Sequence, residues 1–235
     1  RCWAEVKQAG EWERRRAEVD AFNQANPVLK RWLGLFPLKF GISFNIPHMN
    51  QAGALVHVYT DGSVLLNHGG TEMGQGLFIK VAQVVAEVFQ VDLHHLRVSS
   101  TSTSKVPNTS PTAASSGSDL NGMAALDAAT QIKARMSKLA AAHFAVPESE
   151  IVFAGNRIYA GNRSLSFPAL ARMAWEQRVS LSATGYYRTP KIHWDANTCT
   201  GRPFYYFVYA AAAAEVAIDT LTGEMRVLRA EMVED

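Results

Sequence analysis

Residues 69–76 read GGTEMGQG and lead directly into Leu77, Val81, Val84, Val85 and Val88, which fall on one helical face. Glycines and small polar residues ahead of a helix leave backbone N–H groups pointing at one spot, with the positive end of the helix dipole behind them. No Lys or Arg lies between Asn67 and Ile79, so this stretch holds a ligand by amides, dipoles and the Gln75 side chain. The carboxamide of Gln75 offers both donor and acceptor to the edge of a heterocycle. A second stretch of the same kind, TSTSKVPNTSPTAASSGSD at 101–119, ends on a helix carrying Leu120, Met123, Leu126, Ile132, Met136 and Leu139. Two such termini, at Gly74–Gly76 and at Ala113–Gly117, would suit one ligand with separated polar groups. Taken singly, each is equally a capped connection, because Thr71, Ser110, Thr112 and Ser116 are ordinary capping residues.

Other chemistries are excluded by spacing. GGTEMGQG lacks the glycine spacing and downstream acid of a dinucleotide site, and no Gly-Lys-Ser/Thr ending marks a nucleoside-triphosphate loop. Cys2 and Cys199 have no partner spacing for zinc or iron–sulfur ligation and are too few for a disulfide framework, which fits a reducing, cytoplasmic setting. His48, His57, His68, His94 and His95 lack helical i, i+4 pairing and read as structural or exposed. Glu72 reads as a turn-capping or salt-bridging residue.

The elements that must position these loops follow from the apolar pattern. The 235 residues are 48% hydrophobic with a net charge of +2, enough for one large domain or two small ones. That balance argues against a nucleic-acid surface, and no apolar run is long enough to span a membrane. The run Arg14, Arg15 and Arg16 lies among acidic neighbours and reads as a solvated helix face. Residues 1–26 read as one helix, with Trp3, Val6, Trp12, Val19 and Phe22 as its apolar members and Pro27 as its end. A domain beginning near Leu35 opens with a strand and then a hairpin turning at Asp61-Gly62. The expected order is strand, small-residue loop, helix, twice over. Two short strands joined at Gly155-Asn156, a helix at Pro168 and a β-rich remainder over 176–235 follow, an α/β (α+β) fold of mixed sheets with helices. The run Ala211–Ala214 inside a strand suits close approach of a neighbour or simply tight packing.

The stretch from Lys39 to Leu77, KFGISFNIPHMNQAGALVHVYTDGSVLLNHGGTEMGQGL, followed by STSKVPNTSPTAASSGSDLNG and VSLSATGYYRTP, closely resembles the molybdenum-cofactor-binding portion of the xanthine dehydrogenase and aldehyde oxidase family. Xanthine dehydrogenases of the bacterial kind look most similar; an aldehyde oxidase or other N-heterocycle hydroxylase is the alternative, and a non-catalytic domain for cofactor handling or assembly a third.

The resemblance implies a helical lead-in over 1–34 and part of a molybdopterin-binding domain over 35–235, with cofactor loops at 66–78 and 101–119. It implies that Met73, Gly74 and Gln75 contact the pterin, and that Ala113, Ala114, Ser115, Ser116 and Gly117 approach pterin and phosphate through amides, Ala114 lying near molybdenum. Phe44 would pack against a bound purine. Asn45 stands where the family usually has threonine. The family's glutamate base lies in a Val-Gly-Glu-Pro-Pro segment, and no Gly-Glu-Pro occurs here, so no catalytic residue is expected in this chain. The resemblance further implies 2Fe–2S clusters and FAD in other parts of the enzyme, the remainder of the molybdenum subunit as partner, a dimeric complete enzyme and NAD as final acceptor. With no initiator Met or signal peptide, the chain reads as an excised piece, expected to be inactive alone.

Overall fold

The computed structural model describes residues 1–235 and divides them into two compact units, residues 1–42 with 206–235, and residues 43–205. The mixed α and β architecture is as the sequence implies.

In the first unit, β1 (Leu29–Ile42), β11 (Tyr206–Asp219) and β12 (Met225–Glu234) form an antiparallel sheet in the order β1-β11-β12. The single helix expected over 1–26 is two, α1 (Cys2–Ala9) and α2 (Trp12–Ala25). The chain breaks at Gly10, whose N–H closes on the Val6 carbonyl, and at Glu11, which takes a left-handed conformation with φ 49°. The expected boundary at 34/35 falls inside β1, because the pairing with β11 starts at Leu29 opposite Asp219. Asn23 grips this edge strand from α2, accepting from the Arg31 N–H at 2.7 Å and donating to its carbonyl at 2.8 Å.

The alanine run has a definite use. Ala211 and Ala213 face α1 and pack with Cys2 and Val6 in a small buried cluster. Beside it, Arg15 is buried, which overturns the solvated-face reading for this one residue. Its Nε and Nη2 donate to Glu215 Oε2 at 3.0 and 2.7 Å, and its Nη1 donates to the Gly10 carbonyl at 3.2 Å and to Glu231 at 3.3 Å. Arg14 and Arg16 lie outward, in exposed pairs with Glu11, Glu18 and Asp20.

In the second unit, β4 (Leu96–Val98), β3 (Val64–His68), β2 (Gln51–Val58) and β8 (Ser182–Arg188) form a four-stranded sheet in that order. β2 and β3 are the hairpin turning at Asp61-Gly62, where the Asp61 carboxylate accepts from the Ser63 N–H at 2.9 Å and its hydroxyl at 2.7 Å. β3 and β4 are parallel, so the chain crosses between them through α3 (Leu77–Phe89). The long helix α4 (Gly117–Phe144) follows β4 and lies on the sheet through Ala124, Ala125, Ala128 and Ala129, all fully buried. Where two short strands were expected near Gly155-Asn156 there are three, β5 (Ile151–Ala154), β6 (Arg157–Ala160) and β7 (Arg163–Ser166), the last turning at Gly161. α5 (Phe167–Glu176) starts with Pro168 in its first turn and the Ser166 hydroxyl accepting from the Ala169 N–H. A small hairpin, β9 (His193–Asp195) and β10 (Thr200–Arg202), completes the unit. No helix is long and apolar enough to cross a membrane.

The buried guanidinium gives a direct test. Arg15→Met would leave Glu215 and Glu231 without their central partner, and breaking such a buried pair costs about 3 kcal/mol. A urea titration should show that loss for Arg15→Met and an unchanged midpoint for Arg14→Met; equal behaviour of the two variants would contradict the buried assignment.

Candidate cofactor site

β3 delivers the chain into the first loop at His68, which is 2% exposed. Its Nδ1 accepts from the Gly70 N–H at 3.1 Å, and its ring meets Phe78 edge-on with centroids 5.2 Å apart. With Nδ1 accepting, the neutral ring carries its proton on Nε2, which has no partner in the protein. Burial lowers the His68 pKa to about 4, opposed by the nearby Glu72 charge.

Gly69 and Gly70 are glycine for want of space. A Cβ on Gly69 would run into the side chain of Thr109, and one on Gly70 would lie 2.5 Å from Leu77 Cδ2 and 2.7 Å from Asn121 Nδ2. These close approaches bind the first loop to the second. Thr71 N–H donating to Thr112 Oγ1 at 2.8 Å and Thr101 Oγ1 donating to the Gly70 carbonyl at 2.6 Å add two cross-loop hydrogen bonds. The second loop is strapped along β2 as well, through Ser110 Oγ to the Gln51 carbonyl at 3.1 Å and Asn108 Nδ2 to Gln51 Oε1 at 3.0 Å.

The amides of the two helix ends are not equally available. Glu72 accepts from the N–H groups of Gly74, Gly76 and Phe78 at 2.9–3.0 Å. Its carboxylate is held below the usual pKa range, first by the Phe78 amide and then by those of Gly74, Gly76 and Leu77. The capping role expected for Glu72 is therefore present, with a consequence not expected: the α3 terminus is already occupied by an anion. Gln75 likewise serves its own loop, Oε1 accepting from the Met73 N–H at 2.6 Å and Nε2 donating to the Thr71 carbonyl at 3.0 Å. At the α4 terminus no side chain caps the first turn, and the Ser116 hydroxyl bends back to the Ala113 carbonyl at 3.1 Å. The preceding Ala114 and Ser115 are both left-handed, with φ of 56° and 54°, a rare conformation for residues with a Cβ.

Between the two loops lies a hollow of about 470 Å³, lined by Met73, Gln75, Leu77, Lys80, Thr112, Ala113, Ala114, Ser115, Gly117 and Ser118. Most of the expected cofactor residues thus meet at one place. Gly74 and Ser116 belong to the loops but not to the lining, and Ser116 is buried. Leu77, Thr112 and Ser118 also line the hollow, from within the expected loops; Lys80 alone comes from outside them, one position past the cation-free window and three residues after Leu77, on the same side of α3. Phe44 and Asn45 lie elsewhere in the unit, on the bend after β1. Asn50 clamps Phe44, its Oδ1 accepting from the Phe44 N–H at 2.8 Å and its Nδ2 donating to the Phe44 carbonyl at 2.9 Å. The preceding Ser43 has φ 132° and is tied by its hydroxyl to the Pro203 carbonyl at 3.0 Å. His48, His57, His94 and His95 belong to no group of ligating side chains able to hold a metal ion.

A hollow of this size, with small residues, a helix terminus lacking a side-chain cap, a carboxamide and one ammonium, has the chemistry to hold an organic anion with a polar heterocycle. Molybdopterin has that chemistry, and the donor set fits it: neutral amides for the pterin edge, N–H groups and a cation for its anionic arm. The chain belongs to the molybdopterin cofactor-binding domain family, whose profile matches residues 5–235. The xanthine dehydrogenase/oxidase of Felis catus is 45% identical over 235 residues, and the xanthine dehydrogenase of Oryza sativa subsp. japonica 47% over 233. The chain spans only 16% of the length of each. Among solved structures, a Cu,Mo-CO dehydrogenase superposes with a TM-score of 0.79 at 20% identity, covering 99% of this chain and 30% of that one. Quinoline 2-oxidoreductase from Pseudomonas putida 86 gives 0.78 at 18%, again covering 99% and 30%. The fold is the one these proteins share.

The low pKa of His68 fixes a pH signature. Above pH 6.5 the ring is neutral in folded and unfolded chains alike. As the pH falls from 6.5 towards 4 the unfolded chain takes up the proton first, so stability is lost across that window, about 3 kcal/mol in all. Urea titrations between pH 7 and 4 should show this loss in the wild type beyond that in His68→Gln; parallel curves would show that His68 does not titrate so.

Proposed function

We propose that the chain is part of the molybdopterin-binding subunit of a xanthine dehydrogenase, an enzyme that hydroxylates hypoxanthine and xanthine to urate with water as the oxygen source and NAD as final electron acceptor. The observation that carries this reading is the convergence of Met73 and Gln75 with Ala113, Ala114, Ser115 and Gly117 on one hollow. The relatives with 43–47% identity over essentially the whole chain are named xanthine dehydrogenases, some of them xanthine dehydrogenase/oxidases, which favours purine over other N-heterocycles.

When bound, the molybdenum cofactor supplies the oxygen-transfer and electron-accepting chemistry, and the protein positions it. In this reading Met73 and Gln75 border the pterin. Gly74 and Ser116 shape the loops from behind, and Ala114, with no side chain beyond Cβ, leaves room for the metal end. Ser115 and Gly117 present backbone amides. Phe44 packs against the purine ring, its backbone fixed by Asn50, and Asn45 offers a hydrogen-bonding carboxamide in place of the family's threonine. The glutamate base comes from another segment of the molybdenum subunit, and 2Fe–2S and FAD modules of a dimeric, cytoplasmic enzyme carry the electrons onward.

Two measurements test this. Because the Gln75 side chain holds Met73 N–H and the Thr71 carbonyl, Gln75→Ala in the complete enzyme loosens the loop as well as removing a contact. About 1.4 kcal/mol of lost binding corresponds to a tenfold fall in affinity, to be read as bound pterin and molybdenum per subunit; unchanged occupancy counts against the assignment. The isolated 235-residue chain should reduce NAD with xanthine no faster than background, and activity above background would overturn the division of the site between segments.

A further inference from the structure

We propose that Lys80 supplies the counter-charge for the phosphate arm of the ligand held in the hollow, a role that rests on the molybdopterin reading above. The argument starts from what the other groups cannot do. The amides at the head of α3 are taken by Glu72, so that terminus presents a neutralised cap and repels a further anion. Gln75 spends one donor and one acceptor within its own loop. The uncapped amides of α4 remain, but the first turn of α4 carries Asp119. Amides alone would therefore bring no formal positive charge to a phosphate.

Lys80 is the one cation in the lining. It makes no ion pair with any carboxylate of the protein and its ammonium donates no hydrogen bond, although eleven other ion pairs form in the same chain. It sits three residues after Leu77 on α3 and lines the hollow together with Ser115, Gly117 and Ser118. An ammonium on a flexible stem is suited to a tetrahedral phosphate, which asks for charge rather than the planar fork of an arginine. The loops would then divide the work, α4 giving directed N–H donors and α3 giving the charge.

The experiment uses the complete enzyme carrying Lys80→Met and Lys80→Arg. Bound pterin is measured by fluorescence after release and oxidation, and the rate of pterin loss is followed at increasing ionic strength. Lys80→Met should retain about tenfold less pterin and lose the salt dependence of release seen in the wild type, while Lys80→Arg should stay within about twofold of wild type. Thermal unfolding of the pterin-free proteins should coincide for all three, because Lys80 is exposed and its ammonium makes no ion pair or hydrogen bond within the chain. Wild-type pterin content and salt response in Lys80→Met would overturn the role of Lys80 and leave the cofactor assignment standing. A wild-type enzyme devoid of pterin would overturn both.

Discussion

The second unit depends on how closely α4 lies on the sheet. A Cβ on Gly185 of β8 would overlap the Ala124 carbonyl oxygen and sit 2.6 Å from the Ala128 nitrogen. Helix backbone and strand backbone are therefore in direct contact, and no side chain larger than alanine on the facing turns of α4 is compatible with that distance. Everything at the hollow inherits its position from this seat. The first turn of α4 emerges beside the end of β3, and Asn121, one turn in, both bonds the Gly117 carbonyl and fills the space left by Gly70. On the same sheet, Gly53 of β2 leaves room for the Pro107 carbonyl, so the second loop is laid flat before it reaches Ala113. Loops that carry binding groups are usually the mobile parts of a protein; here backbone contacts with the sheet restrain them.

Charge is distributed with the same economy. In the first unit Arg15 is enclosed by two carboxylates and a carbonyl, and every nitrogen of its guanidinium has a partner. Desolvating that group is tolerable because it is fully paired. At the hollow the pattern is reversed. Glu72 is satisfied locally by three amides, whereas Lys80 has no ion-pair partner and the α4 terminus has no side-chain cap. One site is closed by its own charges, and the other keeps a lysine that no carboxylate of the chain pairs.

Much of this was legible in the sequence. Turn residues between β-rich runs located the β2–β3 hairpin, and small-residue stretches before apolar periodicity located both helix starts to within about one turn. Other features depend on long-range contacts that no local pattern encodes. Arg15 looks like Arg14 and Arg16 until a strand two hundred residues away brings Glu215 to it. The break at Gly10-Glu11 needs a left-handed glutamate, which propensity does not announce. In α4 the residues that touch the sheet are alanines, so Met123, an expected member of the apolar face, is 41% exposed. Lys80 lies beyond the end of the loop, and only the helix carries it back over the same opening.

The four glycines of GGTEMGQG look alike in the sequence and separate in the structure. Gly69 and Gly70 are excluded from bearing a side chain by Thr109, Leu77 and Asn121, so they record how tightly the two loops are joined. Gly74, with φ 101°, has open space around it, and Gly76, with φ 74°, meets only the tip of Ile79; these two are there for backbone conformation. That conformation is what aims the N–H groups of Gly74 and Gly76 at Glu72 instead of into the hollow. A glycine-rich loop ahead of a helix is thus not by itself an anion site. In this loop the glycines let the chain satisfy its own amides, and the one cation at the hollow is a lysine one turn further on.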